Sequence, residues 1–313
     1  VTFAPTPAFR TTWPSCSGSA QSCWHFIPDY RYTNETGSKG RIAVATKATI
    51  NCRNCGGASG LFLSSPDINR RVSTTDYNLY RCDSCGLLFV GNPPNDLSRY
   101  YPPTYHPAMH AVGQLVDPHG LHQYRLDLVR KYKRSGALLE IGPSAGIFCN
   151  LAKNSGFDVS AIEMDFDCVQ FLTKQIGVRA THSSDPAKVI ADEARQYDVI
   201  CLWHSIEHIF EPWALLDQCA RHLAPDGILV VATPNPDAWQ ARVMGQLWPH
   251  YDLPRHLVLL PIGWIRTFAS RHTLSVELLT TRDKTSVYLS IGSWRDYFAR
   301  PPDRSVADRL LPY

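Results

Sequence analysis

The sequence has no apolar run approaching the ~18 residues that a helix needs to cross a membrane. Its opening stretch, VTFAPTPAFRTTWPSCSGSA, lacks the apolar centre of a secretion signal. These absences lead to the expectation of a cytoplasmic protein with no membrane partner. A strong charge imbalance is also missing. Lys and Arg number 31 against 28 Asp and Glu, a surplus of +3, too small to mark a dedicated nucleic-acid binder. Disorder is excluded by composition, because hydrophobic residues make up 44% of the 313. That length suits one large domain beside a small one.

Cysteine, by contrast, is abundant, with ten in the chain. Four fall into two Cys-x-x-Cys pairs, Cys52/Cys55 and Cys82/Cys85, with 26 residues between them. Each pair runs into glycine (CRNCGG, CDSCGL), which accepts the left-handed backbone of a tight knuckle that aims two thiolates at one ion. A reducing compartment argues against disulfides, and a redox motif would need one pair at a helix start. Four thiolates around a tetrahedral Zn²⁺ fit best, and four protein ligands leave no open position for chemistry, so the ion is expected to be structural. Cys16 and Cys23 read as thiols of a loose tail. Cys149, Cys168, Cys201 and Cys219 sit in apolar patterns and read as core.

The chain divides into an extension (1–45), the knuckle module (46–92), a linker with a lid helix (93–135), an alternating strand–helix region (136–292) and a tail (293–313). Leu121, Tyr124, Leu128 and Tyr132 mark the apolar face of the lid helix. ALLEI, FDVSAIE, VRATHS, YDVICLW and ILVVAT read as strands. LSVELLT and TSVYLSI, around Arg282-Asp283-Lys284, predict a terminal hairpin. Continuous apolar strands alternating with helices predict an α/β fold with a parallel sheet covered on both faces. Ligands of such sheets bind beyond the strand C-termini.

The turn after the first strand, LLEIGPSAGIF, is not a dinucleotide G-x-G-x-x-G. Glycines there let backbone N–H groups approach a ligand. Glu140 stands two places before Gly142, which disfavours a pyrophosphate and favours a ligand with a positive amino group. The second strand ends on Glu163, where a carboxylate suits a ribose diol. An amino-acid head beside one acid and a ribose beside the other describe S-adenosylmethionine.

From 137 to about 291 the chain resembles a class I S-adenosylmethionine-dependent methyltransferase. LLEIGPSAGIF resembles the family's first motif, VSAIEMD its ribose motif, and YDVICLWHSIEHIFEPWALLDQCARHLAPDGILVVATPN its fourth-to-fifth-strand block with EH after strand four. The segment from CRNCGG to YRCDSCGLLFVGNPPNDLSRYYPPTYH resembles the zinc-binding N-terminal part of a bacterial subgroup associated with sugars, polysaccharides and secondary metabolites. The resemblance implies a Rossmann-like, mostly parallel sheet of seven strands, the last two being the terminal hairpin. It implies cofactor contacts from Glu140, Gly142, Ser144, Gly146, Glu163, Asp185 and His204. Ser144 departs from the family's glycine and is a candidate cap for the next helix. Asp185 serves equally well as a helix cap.

A hydroxyl or carbon acid acceptor needs a base, and histidine suits neutral pH. HSIEHI supplies His204, Glu207 and His208 just past strand four. WPHYDLPRHLVLL supplies His250, Tyr251, Arg255 and His256 past strand five. Base candidates are His204, Glu207, His208 and His256. Trp239 and Trp248 are read either as pocket wall or as core. The H-x-x-E-H spelling matches a metalloprotease motif, but that motif needs a helix and this one leaves a strand. The leading reading is methylation of a small molecule or glycan precursor on oxygen or carbon. An RNA methyltransferase with a zinc module is the second. Near-neutral charge argues against it, as does the lack of an Asn/Asp-Pro-Pro-aromatic motif after strand four. The third is a non-catalytic zinc-ribbon scaffold.

Overall fold

The structure is a computed structural model that describes residues 1–5, 49–102, 105, 111–117 and 119–299. Cys16, Cys23 and most of the 1–45 extension lie outside the described residues. The first strand in the chain is β1 (Thr2–Pro5). The knuckle module follows as β2 (Thr49–Asn51), β3 (Ala58–Ser65), β4 (Tyr77–Cys82) and β5 (Leu88–Val90), an antiparallel ladder. The glycine after each cysteine pair takes the left-handed backbone the knuckle needs, with φ +73° at Gly56 and +74° at Gly86. Their N–H groups close the turns onto the Cys52 and Cys82 carbonyls.

Helix α1 (Leu121–Arg130) leads into the alternating region: β6 (Gly136–Ile141), α2 (Ile147–Asn154), β7 (Phe157–Glu163), α3 (Phe166–Phe171), β8 (Arg179–His182), α4 (Pro186–Ala191), β9 (Tyr197–Trp203), α5 (Pro212–Arg221) and β10 (Leu223–Ala232). After it come α6 (Trp239–Met244), β11 (Val258–Leu259), α7 (Ile262–Arg271), β12 (Leu274–Leu278) and α8 (Lys284–Ala299). The large sheet has seven strands in the order β12-β1-β10-β9-β6-β7-β8. Strands β6 to β10 are parallel and β1 runs antiparallel to both its neighbours. The knuckle sheet has five, because β11 pairs with β5.

Side-chain alternation gives this sheet two apolar faces. Leu139, Ile141, Ile200 and Leu202 pack under Leu215, Leu216 and Phe268 on one side. Leu138, Val199 and Cys201 pack under Val129, Phe148 and Phe171 on the other. Each such fully buried side chain contributes about 1.5–3 kcal/mol. The α/β architecture with helices on both faces is therefore as expected, and Cys149, Cys168, Cys201 and Cys219 are buried.

Three expectations are corrected. The terminal hairpin does not form: residues 284–299 are helical, and only Leu274–Leu278 is a strand. Asp283 decides it, since its carboxylate accepts from the Thr285 and Ser286 N–H groups as a helix cap does. A tail beginning at 293 would start inside this helix. The seventh place in the sheet is filled instead by β1, from within the supposed extension, where Phe3 is buried against Phe268. Finally, the lid helix is a wall of the core: α1 packs on α2 and buries Leu126, Leu128 and Val129. No helix of the described residues is long and apolar enough to cross a membrane.

Candidate active site and cysteine centre

The loop after β6 is shaped by two glycines with different tasks. Gly142 has φ +72°, and a Cβ there would lie 2.7 Å from the Ser205 Cβ. Its absence lets the β6 and β9 loops close on each other, joined by the Ser205 hydroxyl donating to the Ile141 carbonyl at 2.7 Å. At Gly146 a Cβ would meet Leu172 at 2.5 Å and Ile176 at 2.7 Å, so this glycine serves helix packing. Ser144 adopts φ +52° in place of the family's glycine. The N-cap position of α2 falls to Gly146, not to Ser144.

Glu140 pairs across from Ala161. Alternation then puts Glu140, Ala161 and Glu163 on one face of adjacent strands, two residues apart in register. Both carboxylates are buried. Glu163 Oε1 accepts from the Met164 and Asp165 N–H groups at 2.7 and 2.9 Å, and Oε2 from Ser144 N–H at 2.9 Å. Glu140 Oε2 accepts from the Cys149 thiol at 2.9 Å. Burial raises the Glu140 pKa to about 7; the Cys149 bond and the Arg125 charge oppose this, and the Glu163 charge adds to it. Asp185 caps α4, accepting from Lys188 N–H at 3.1 Å.

Arg125 was not among the sequence candidates. Its guanidinium stacks 5.2 Å over the Trp203 ring, and its Nε is buried with no partner. Burial lowers its pKa against the opposing charges of Glu140 and Asp117. No signal in the sequence marks it, because Tyr124 completes the stripe Leu121, Leu128, Tyr132 and leaves Arg125 to read as a solvent-facing cation. Arg125, Trp203, His204, Thr2 and Thr233 line a half-open cavity of about 200 Å³. Gly142, Ser144, Glu163 and Asp185 are not in its lining.

Past β9, His204 takes φ +56°, and Ile206–His208 make a single 3₁₀ turn. The H-x-x-E-H residues are thus not on an α-helix. Glu207 is 1% exposed. Burial pushes its pKa up, but the adjacent His204 ring and the charges that His256, His204 and His208 can carry hold it at about 2. Its Oε1 is 3.7 Å from His204 Nδ1, and its Oε2 has no partner. His208 Nδ1 lies 2.9 Å from the Tyr101 hydroxyl and 3.2 Å from the Arg255 carbonyl. Burial, then His256, lowers the His208 pKa to about 4. His256 Nδ1 donates to the His250 carbonyl at 2.8 Å, and its ring meets that of His208 at 4.7 Å.

One ligand atom each from Glu207, His208 and His256 lies within 4.8 Å of the others, a spacing open to a shared proton or a divalent cation. The structure thus brings three of the four base candidates together, with His204 at their edge on the cavity. Tyr101 belongs to the Pro- and Tyr-rich linker, where nothing in the sequence points to His208. Trp248 is buried core, whereas Trp239 is 70% exposed.

In the knuckle module the Sγ atoms of Cys52 and Cys85 are 3.7 Å apart and those of Cys55 and Cys82 3.5 Å. Sulfurs 2.3 Å from a tetrahedral Zn²⁺ are about 3.8 Å apart. The four residues fit that ion, and the Cys85 N–H aimed at Cys82 Sγ favours a thiolate.

A family described as a methyltransferase domain matches residues 117–281. The match covers more than half of the chain, which belongs to this family, the class I S-adenosylmethionine-dependent methyltransferases, which are enzymes. Among curated relatives, the ubiquinone biosynthesis O-methyltransferase of Caulobacter sp. (strain K31) is 28% identical over 148 residues, covering 39% of this chain and 56% of the relative. The protein of the same name from Caulobacter vibrioides is 30% identical over 148 residues with the same coverage. The chain therefore spans just over half the length of these relatives. A solved S-adenosylmethionine-dependent methyltransferase from Archaeoglobus fulgidus is 16% identical, with a TM-score of 0.43, covering 56% of this chain and 86% of that one.

Proposed function

We propose that this protein methylates a small molecule, a sugar or secondary-metabolite precursor, on a hydroxyl oxygen or an acidic carbon. The observation that carries the reading is the Glu207–His208–His256 cluster, with Glu207 and His256 buried, beside His204 and its cavity, at the strand ends where the family works. The O-methyltransferase names of the relatives support a hydroxyl acceptor.

In this reading Glu163 has three of about four acceptor positions filled and offers the last to a ribose hydroxyl. Gly142, Ser144 and Gly146 shape the adjoining loop, and Asp185 lies at the adenine end. Glu140 faces the amino group of the cofactor, Arg125 its carboxylate, and His204 the methionine end. When bound, S-adenosylmethionine supplies an electrophilic sulfonium methyl. The chain supplies alignment and takes a proton from the acceptor. His208 acts as the base. A pKa of about 4 keeps the free imidazole neutral at pH 7, its Nδ1 is tied by Tyr101 and Arg255, and Nε2 is left to the acceptor. Glu207 stabilises the imidazolium as it forms. His256, against the His208 ring, is the second proton carrier. Zn²⁺ held by Cys52, Cys55, Cys82 and Cys85 is structural, and its thiolates call for a reducing, cytoplasmic location.

The test is transfer of label from methyl-labelled cofactor into phenols, nucleotide sugars and a polar metabolite pool. Label in a small molecule, reduced at least 100-fold by His208→Ala, is the expected result. Label entering RNA alone overturns the acceptor class. Failure to bind S-adenosylhomocysteine overturns the enzyme reading.

A further inference from the structure

The loop that carries His250 and His256 is fastened to the knuckle module by a buried ion triad. Arg255 is 0% exposed. Its guanidinium reaches both Asp67 oxygens, at 2.8 and 3.1 Å, and both Asp252 oxygens, at 2.7 and 2.9 Å. Asp67, in the connection between β3 and β4, is itself fixed by the Arg70 and Val72 N–H groups. Asn69 adds bonds to the Pro249 carbonyl at 2.7 Å and to Asp252 at 2.6 Å. On the far side of the loop, Leu257 N–H donates to the Glu207 carbonyl and the Leu257 carbonyl accepts from Val90 N–H.

A triad of this kind is an expensive way to hold a loop. Buried ion pairs often stabilise no better than apolar residues of the same volume. What they supply is direction, because a guanidinium fork donates to two carboxylates in one geometry. Here the direction reaches the site. The Arg255 carbonyl faces His208 Nδ1, the His250 carbonyl faces His256 Nδ1, and an acceptor at Nδ1 leaves Nε2 as the basic nitrogen.

We propose that Asp67 and Arg255 are positioning residues through which the knuckle module sets the ring tautomers of His208 and His256. The chemistry is that of the proposed base, and the clamp rests on that reading for its purpose, though not for its test. Asp67→Asn keeps the shape, removes one charge and leaves Arg255 its Asp252 partner. In the full chain, two-bond proton–nitrogen NMR should show one Nδ1–H tautomer for both rings in the wild type. In Asp67→Asn the His208 pattern should become a tautomer mixture, and amide exchange of 249–257 should rise at least tenfold. Arg255→Lys, which keeps the charge but not the fork, should do the same and serves if Asp67→Asn does not fold. Affinity for S-adenosylhomocysteine should stay within twofold. A lower melting temperature with unchanged ring signals and unchanged exchange overturns the proposal. Absent binding of S-adenosylhomocysteine in the wild type sinks the methyltransferase reading instead, and leaves the clamp to the ring signals.

Discussion

Glu163→Gln separates two roles that one carboxylate plays. In the folded protein Glu163 clasps its own turn and the motif loop by accepting three backbone N–H bonds. The amide keeps one acceptor oxygen for Met164 and Asp165, but turns an N–H₂ toward the Ser144 N–H. One buried donor left unpaired costs about 1–3 kcal/mol. That loss falls equally on the free and bound protein, so it lowers the melting temperature without touching affinity. Loss of the ribose bond is different, because it exists only in the complex. A hydrogen bond to a charged acceptor is worth about 1.5–3 kcal/mol, which at about 1.4 kcal/mol per decade weakens binding roughly 10- to 150-fold. Calorimetric titration with S-adenosylhomocysteine, beside thermal melts without ligand, reads the two effects apart. A lower melt with Kd within twofold of wild type would refute the ribose role and leave Glu163 a turn clasp.

Three further outcomes are expected. Phe3→Ala, which removes a 1%-exposed ring from the interior of the sheet, should cost about 3–5 kcal/mol in urea unfolding; a loss under 1 kcal/mol would mean that β1 is dispensable. Glu140, with a folded pKa of about 7 against 4.5, binds its proton more tightly when folded, so its penalty is absent below pH 4.5, grows as pH rises and is complete above 7. At about 1.4 kcal/mol per pK unit that is about 3 kcal/mol; Glu140→Gln should flatten this fall in urea midpoints between pH 5 and 8, and an unchanged slope would contradict it. Elemental analysis should find one zinc per chain, lost in Cys82→Ser together with protease resistance of residues 49–90.

What was legible in the sequence was local. A Cys-x-x-Cys-Gly knuckle, an acid at a strand end and an Asp-Pro helix start each involve a few adjacent residues and one backbone preference. The parallel sheet showed through its apolar runs. The misreadings are of two kinds. TSVYLSI carries apolar residues at spacings that suit either period, and the cap at Asp283 that settles it reads locally as a turn. The other kind is contact across long separations. Nothing near TFAP says that it pairs with β10 and β12, and nothing near Asp67 or Tyr101 names Arg255 or His208 as partner. The four base candidates were found because they flank strand ends. The groups that orient two of them were not, because a carbonyl has no signature in sequence.

Placing β1 between β10 and β12 has a consequence for synthesis. The Val1 nitrogen donates to the carbonyl of Val231, 230 positions onward. At roughly 5–20 residues per second, an emerging chain waits roughly 12–46 seconds before that counterpart leaves the ribosome. Throughout that interval Phe3 has no home, and the half-built sheet presents a raw flank to whatever is near. A chaperone that shelters nascent segments would find its client here, and the sheet closes around β1 only once β10 and β12 have been made.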